Sequence, residues 1–153
     1  MLKALLIWVI MLVAAAFDNL SGLVFAPKYT WNFVFDGAEA KLAYGRPNSD
    51  EVGLMMTCAP KSGLVVVSGD VDAQAPRMTL VSGSASTRLS GTAEPDPLSG
   101  GTWFEAHAPL RQGALKEFAR TGSLSLVRGD RRTSMTAGRD EREAVGRFFQ
   151  ACA

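Results

Sequence analysis

From Tyr29 onward, apolar positions recur mostly every second residue, the period of a strand with one face buried. In "WNFVF", Trp31, Phe33 and Phe35 share a face and Asn32 takes the other. Asp36-Gly37 follows, the signature of a two-residue type I′ hairpin turn, and "AEAKLAY" reads as the return strand, with Ala40, Leu42 and Tyr44 on one side. "GRPNSD" breaks the pattern. "VGLMMTC" then places Val52, Leu54, Met56 and Cys58 on one face. "LVVVSG" is a continuous β-branched run, which predicts a strand covered on both sides. "RMTLVS" and "ASTRLSGTAE" predict two more strands around Gly83, and "TWFEAHA" another after the loop "EPDPLSGG".

The period changes after His107. "PLRQGALKEFARTG" brings Leu110, Ala114, Leu115 and Phe118 to one helical face. Pro109 suits the first turn of that helix and Gly122 its C-terminal cap. "SLSLV" and "RRTSMT" flank Gly129-Asp130, a hairpin with a type II′ or I′ turn. A last helix is expected to start near Asp140, with Asp140 and Glu143 at capping-box spacing. In it Val145, Phe148, Phe149 and Cys152 form one stripe at i, i+3, i+4 and i+7. Many short strands with two late helices predict a mainly β, α+β fold. The expected architecture is an antiparallel β-sandwich or partly closed barrel with the C-terminal helix packed on it.

The N-terminus departs from this alternation. Lys3 precedes an unbroken apolar run from Ala4 to Val13, and Ala14-Ala15-Ala16 satisfies the small-x-small rule. Together these are the three parts of a secretory signal, cut before Phe17. The run is shorter than the ~20 residues a spanning helix needs. An uncleaved anchor is the rival reading, because Leu20, Leu23 and Val24 resume the apolar pattern after Asp18 and Asn19. A buried N-terminal helix is the third. The expected organisation is therefore a signal over 1–16, a flexible segment over 17–28 and one β-rich domain over 29–153. The expected location is periplasmic or secreted.

Export changes how the two cysteines are read. Cys58 and Cys152 both sit on inward stripes, and inward cysteines of an exported protein are expected to be oxidised to each other. Two buried thiols that never meet are the alternative. A disulfide closing so long a loop is worth about 4–5 kcal/mol in the chain-entropy treatment, and often less in practice.

Composition narrows the function classes. The chain has 153 residues, 47% hydrophobic and 20% charged, enough for one folded core. Its formal net charge is +1, without the basic excess of a nucleic-acid-binding domain. His107 is the only histidine. With the cysteines paired it is a poor start for a zinc site, and no metal or cofactor is expected. It is expected at a strand end, with a lone general base as the sharper reading. No Gly-x-Ser-x-Gly elbow, phosphate loop or His-Glu-x-x-His is present. Asp70 and Asp72, and Glu94 and Asp96, are spaced two apart. They read as solvated loop carboxylates, or as Ca²⁺ ligands if the loops meet. Arg128, Arg131 and Arg132 head a cluster continued by Arg139, Arg142 and Arg147. It is either a solvated face or a patch for an acidic partner. Trp31 and Trp103 are candidates for a binding surface, with core packing as the alternative.

"AKLAYGRPNSDEVGLMMTC", the helix leading to "FARTGSLSLV" and the closing "VGRFFQACA" together resemble small exported alphaproteobacterial proteins of unknown function. In these a mid-chain cysteine follows an L-x-Y-G-x-P-x-x-D pattern and a second ends a Phe-rich helix. Signal, size and β-rich build also resemble, more loosely, the invasion-associated locus B family of cell-envelope proteins. Neither resemblance implies a catalytic residue. The expectation is a non-enzymatic periplasmic binding or envelope-interaction protein whose partner is another envelope protein, with a hydrolase inhibitor as one form. A small periplasmic hydrolase using His107 is the alternative.

Overall fold

The computed structural model describes residues 28–97 and 99–153. The signal over 1–16, the cleavage point before Phe17 and the segment 17–27 lie outside the described residues. The described elements run β1 (Thr30–Phe35), β2 (Ala40–Gly45), β3 (Val52–Cys58), β4 (Leu64–Val71), β5 (Met78–Ser82), β6 (Ala85–Leu89), β7 (Gly91–Pro95) and β8 (Thr102–Pro109). Then come α1 (Gly113–Thr121), β9 (Ser125–Arg128), β10 (Arg131–Ser134) and α2 (Arg139–Cys152).

Two antiparallel sheets form an open sandwich, not a closed barrel. The large sheet has the order β1-β2-β3-β4-β8-β7 and the small one β10-β9-β5-β6. The alternation predicted for β2 and β3 is realised, with Ala40, Leu42, Leu54, Met56 and Cys58 buried, and β8 follows the same period with Phe104, Ala106 and Ala108. Inner-face residues of the small sheet, such as Met78, Leu80 and Leu126, join them in one core. α1 packs on β5 and β6, and α2 on β1 and β2. Each apolar face thus finds a partner layer.

The helix stripes hold as read. α1 buries Ala114, Leu115 and Phe118; α2 buries Val145, Phe148, Phe149 and Cys152. Gly122 ends α1 at φ 69°, and its N–H donates to the Phe118 carbonyl at 2.8 Å. α2 starts at Arg139, as expected, but its cap and the start of α1 differ from expectation. Pro109 closes β8, and α1 begins at Gly113 behind Gln112. There the Ala114 N–H donates to Thr87 Oγ1 at 2.9 Å, a cap supplied by β6 rather than by the helix's own flank. For α2 the N-cap is Gly138, whose N–H donates to Glu141 Oε2 at 2.7 Å. The reciprocal carboxylate is therefore Glu141, and the Asp140–Glu143 register is not used.

Three strand expectations change. Asp36-Gly37 is not a two-residue turn. Asp36 Oδ1 accepts the N–H groups of Ala38 and Glu39, both at 2.9 Å, and this widens the loop to four residues between Phe35 and Ala40. β4 is covered on both sides only in part: Val65 and Val67 are buried on the inner face and Ser68 on the outer, whereas Leu64 at its start is 50% exposed. "ASTRLSGTAE" is not one strand. It breaks at Ser90, so that β6 belongs to the small sheet and β7 to the large one. Gly91 makes this crossing possible, because a Cβ there would stand 2.0 Å from the Glu105 carbonyl oxygen. The hairpins at Gly83-Ser84 and Gly129-Asp130 have positive φ at the glycine alone (56° and 58°), the type II′ pattern.

Cys58 and Cys152 form a disulfide across 94 positions, with their Cα atoms 5.8 Å apart. It joins the end of β3 to the last turn of α2. Nearby, the Lys61 N–H donates to the Ala151 carbonyl and the Gly63 N–H to the Cys152 carbonyl, both at 2.9 Å. The β3–β4 turn thus receives carbonyls that the helix end cannot satisfy internally.

Candidate functional site

The end of β4 and the β9–β10 hairpin together line an open cavity of about 290 Å³. Asp70, Asp72, Arg128, Asp130 and Arg131 surround it. A second cavity of about 370 Å³ lies against Tyr29, Tyr44, Gly53, Thr133 and Met135, and Arg128 belongs to its wall as well. Both volumes approach or enter the range of small-ligand sites.

Strand period explains which arginines face this cleft. Arg128 pairs with Arg131 across the hairpin, and Arg132 pairs with Val127. Successive residues point to opposite faces, so Arg128 and Arg131 share the cavity side while Arg132 points away. Arg128 is held in place: its Nη1–H donates to the Asp70 carbonyl at 2.9 Å. Among the described residues no carboxylate forms an ion pair with it. Its remaining guanidinium donors are therefore available to a planar acceptor such as a carboxylate.

The tyrosine side is ordered by its own contacts. Tyr44 lies directly opposite Trp31, with ring centroids 5.1 Å apart, and Tyr29 stacks at 5.6 Å from Tyr44. The Tyr29 hydroxyl donates to Glu51, which also pairs with Arg46 at 3.2 Å. Accepting that hydrogen bond, the Glu51 carboxylate raises the Tyr29 pKa above the usual phenol value; burial and the Glu141 charge raise that of Tyr44.

The other candidates separate. Trp31 is 2% exposed and its indole N–H donates to the Met135 carbonyl at 2.7 Å, so it is a core residue and not a docking surface. Trp103 is half-buried on the outer face of β8, between Asp70 on β4 and Glu94 on β7. His107 is exposed on that same outer face opposite Val66, and no hydrogen bond reaches its ring from the described residues. Asp72 Oδ1 accepts the Gln74 N–H at 2.9 Å, and Asp96 Oδ2 accepts the Ser99 hydroxyl at 2.7 Å. Among the described residues no group of three or more His, Cys, Asp or Glu side chains gathers as a metal site. Of the remaining arginines, Arg147 sits 4.9 Å from the centre of the Phe33 ring. It serves as a cation over an aromatic face, away from the hairpin.

No family model matches this chain, and neither does any curated protein or solved structure.

Proposed function

We propose that this is an exported, non-enzymatic binding module of the cell envelope that engages another envelope protein through the cleft at Arg128. One observation carries the reading. A guanidinium fixed by the Asp70 carbonyl stands between a carboxylate-lined cavity and a tyrosine-lined one. Such a cleft, with Asp70, Asp72 and Asp130 beside its two arginines, suits a protein segment that presents an acidic and a basic side chain beside an apolar one. The acid would dock on the Arg128 and Arg131 forks, and the apolar group on the Tyr29 and Tyr44 rings. An inhibitory segment-binding role towards a hydrolase is one form of this function.

Export is supported by the buried Cys58–Cys152 disulfide, since such bonds persist mainly in oxidising compartments. The three-part N-terminal segment and the resemblance to small exported proteins point the same way. Among the described residues no helix is long and apolar enough to cross a membrane.

Site-specific photo-crosslinking in intact cells tests the proposal. A crosslinker at Arg131 is expected to trap a periplasmic protein, and one at Arg132, on the opposite face, to trap none. Arg128→Ala should reduce the yield from position 131. Equal trapping from both positions, or only the chain itself from position 131, would count against the cleft. Intact-mass analysis of the recovered chain should show Phe17 as its first residue, and retention of residues 1–16 would overturn cleavage.

A further inference from the structure

We propose that β1 is a self-pairing edge, and that two copies of this chain join antiparallel through it into one continuous sheet. Among the described strands, β1 stands at the end of the large sheet. Natural edge strands are usually blunted by proline, charge or a bulge. The other three edges among the described strands follow that habit: β7 ends in Pro95, β10 carries Arg131 and Arg132, and β6 carries Arg88. β1 reads TWNFVF, with no charge and no proline, and its register against β2 is unbroken from Thr30 to Phe35. Val34 is 59% exposed and Phe35 49%.

Backbone direction limits the possible registers. The Asp36 N–H donates across the hairpin to the Glu39 carbonyl at 3.4 Å, so even-numbered residues turn their backbone groups towards β2. Period two then turns the N–H and C=O groups of Trp31, Phe33 and Phe35 to the open edge. A two-fold pairing must set these odd residues against one another. One register also matches the charges. With Asn32 on the two-fold axis, Trp31 faces Phe33 of the second copy and Tyr29 faces Phe35. Thr30 faces Val34, and Lys28 faces Asp36 at both ends. Lys28 and Asp36 are exposed and of opposite sign. Shifting the pairing by two residues places Asp36 against Thr30, or Lys28 against Val34, and loses both ion pairs. The chosen register also covers each exposed Phe35 and Val34. The interface is isologous, so it closes at two copies.

Sedimentation of the full chain, as its host processes it, is expected to show a dimer at sub-millimolar concentration. Phe35→Pro removes an edge-facing N–H without touching the β1–β2 ladder and should give a folded monomer, checked by an unchanged near-UV spectrum. Lys28→Glu turns two exposed attractions into repulsions and should weaken association roughly ten-fold. Asn32→Cys reads the register directly. Residues on the axis form a non-hydrogen-bonded pair with Cα atoms about 4.5 Å apart, within disulfide reach. It should cross-link to itself on mild oxidation, whereas Thr92→Cys on β7 should not. A monomeric wild type, or a dimer indifferent to Phe35→Pro and without the Asn32→Cys cross-link, would overturn the proposal.

Discussion

The indole N–H of Trp31 donates to the main-chain carbonyl of Met135 at 2.7 Å, across 104 positions of sequence. It ties edge strand β1 to the segment between β10 and α2. The same ring stands 5.1 Å from Phe118 of α1. Trp31→Phe keeps an aromatic ring there and strands a buried carbonyl, at a cost of about 1–3 kcal/mol. A urea melt should show a lower midpoint at an unchanged slope.

Reduction of Cys58–Cys152 should destabilise the fold by about 2–5 kcal/mol, the span for loss of a native disulfide. Urea melts with and without reductant measure the difference, and Cys58→Ser/Cys152→Ser should reproduce the reduced value. A thiol assay of the native chain should find none. Equal midpoints in both melts would show that sheet and helix hold together without the bond.

Gly91→Ala drives a methyl into the Glu105 carbonyl oxygen, 2.0 Å away, and to within 2.8 Å of the Ala106 Cβ. Both obstacles are fixed atoms of β8, so the strain exceeds the ~1–3 kcal/mol typical of overpacking. The variant should fail to fold or melt far below the wild type. Gly146→Ala, on an open helix face, is the matched control and should melt at or above it.

Local patterns are legible in the sequence, and long-range ones are not. The Cys152 helix stripe and the β3 alternation are local periodicities, and burial follows them directly. The strand break at Ser90 is not local: only the approach of β8 to Gly91 requires it. The wide turn after Phe35 depends on which backbone groups the Asp36 carboxylate accepts, and a dipeptide does not specify that. The α1 cap comes from Thr87, on another element. The cleft has the same origin. Asp70 and Asp72, and Arg128 and Arg131, were each visible as charged pairs, but their juxtaposition exists only once the β9–β10 hairpin folds over the end of β4.

The two tyrosines of the chain, Tyr29 and Tyr44, should both ionise above the ordinary phenol value of about 10, as read by ultraviolet absorbance. Glu51→Gln should lower the Tyr29 midpoint and leave that of Tyr44 in place. The sign for stability follows from linkage. A phenol whose folded-state pKa lies above its unfolded value favours folding fully below the unfolded pKa. That contribution is lost as pH climbs through the folded value. Stability should therefore fall on the alkaline side, and less steeply in Glu51→Gln.

Because the chain passes from one sheet to the other at Ser90, the two layers are riveted at that corner and cannot slide past each other as independent plates. The β9–β10 hairpin is held differently: β9 pairs with β5, β10 has no outer neighbour among the described strands, and single hydrogen bonds, Arg128 to the Asp70 carbonyl and Trp31 to the Met135 carbonyl, tie it to the large sheet. Opening of the cleft is expected from the Gly129-Asp130 turn of this hairpin swinging away from β4 once the Arg128–Asp70 bond is released. Arg128 and Arg131, at its tip, would travel the furthest, while Asp70 and Tyr44 remain as the fixed jaw.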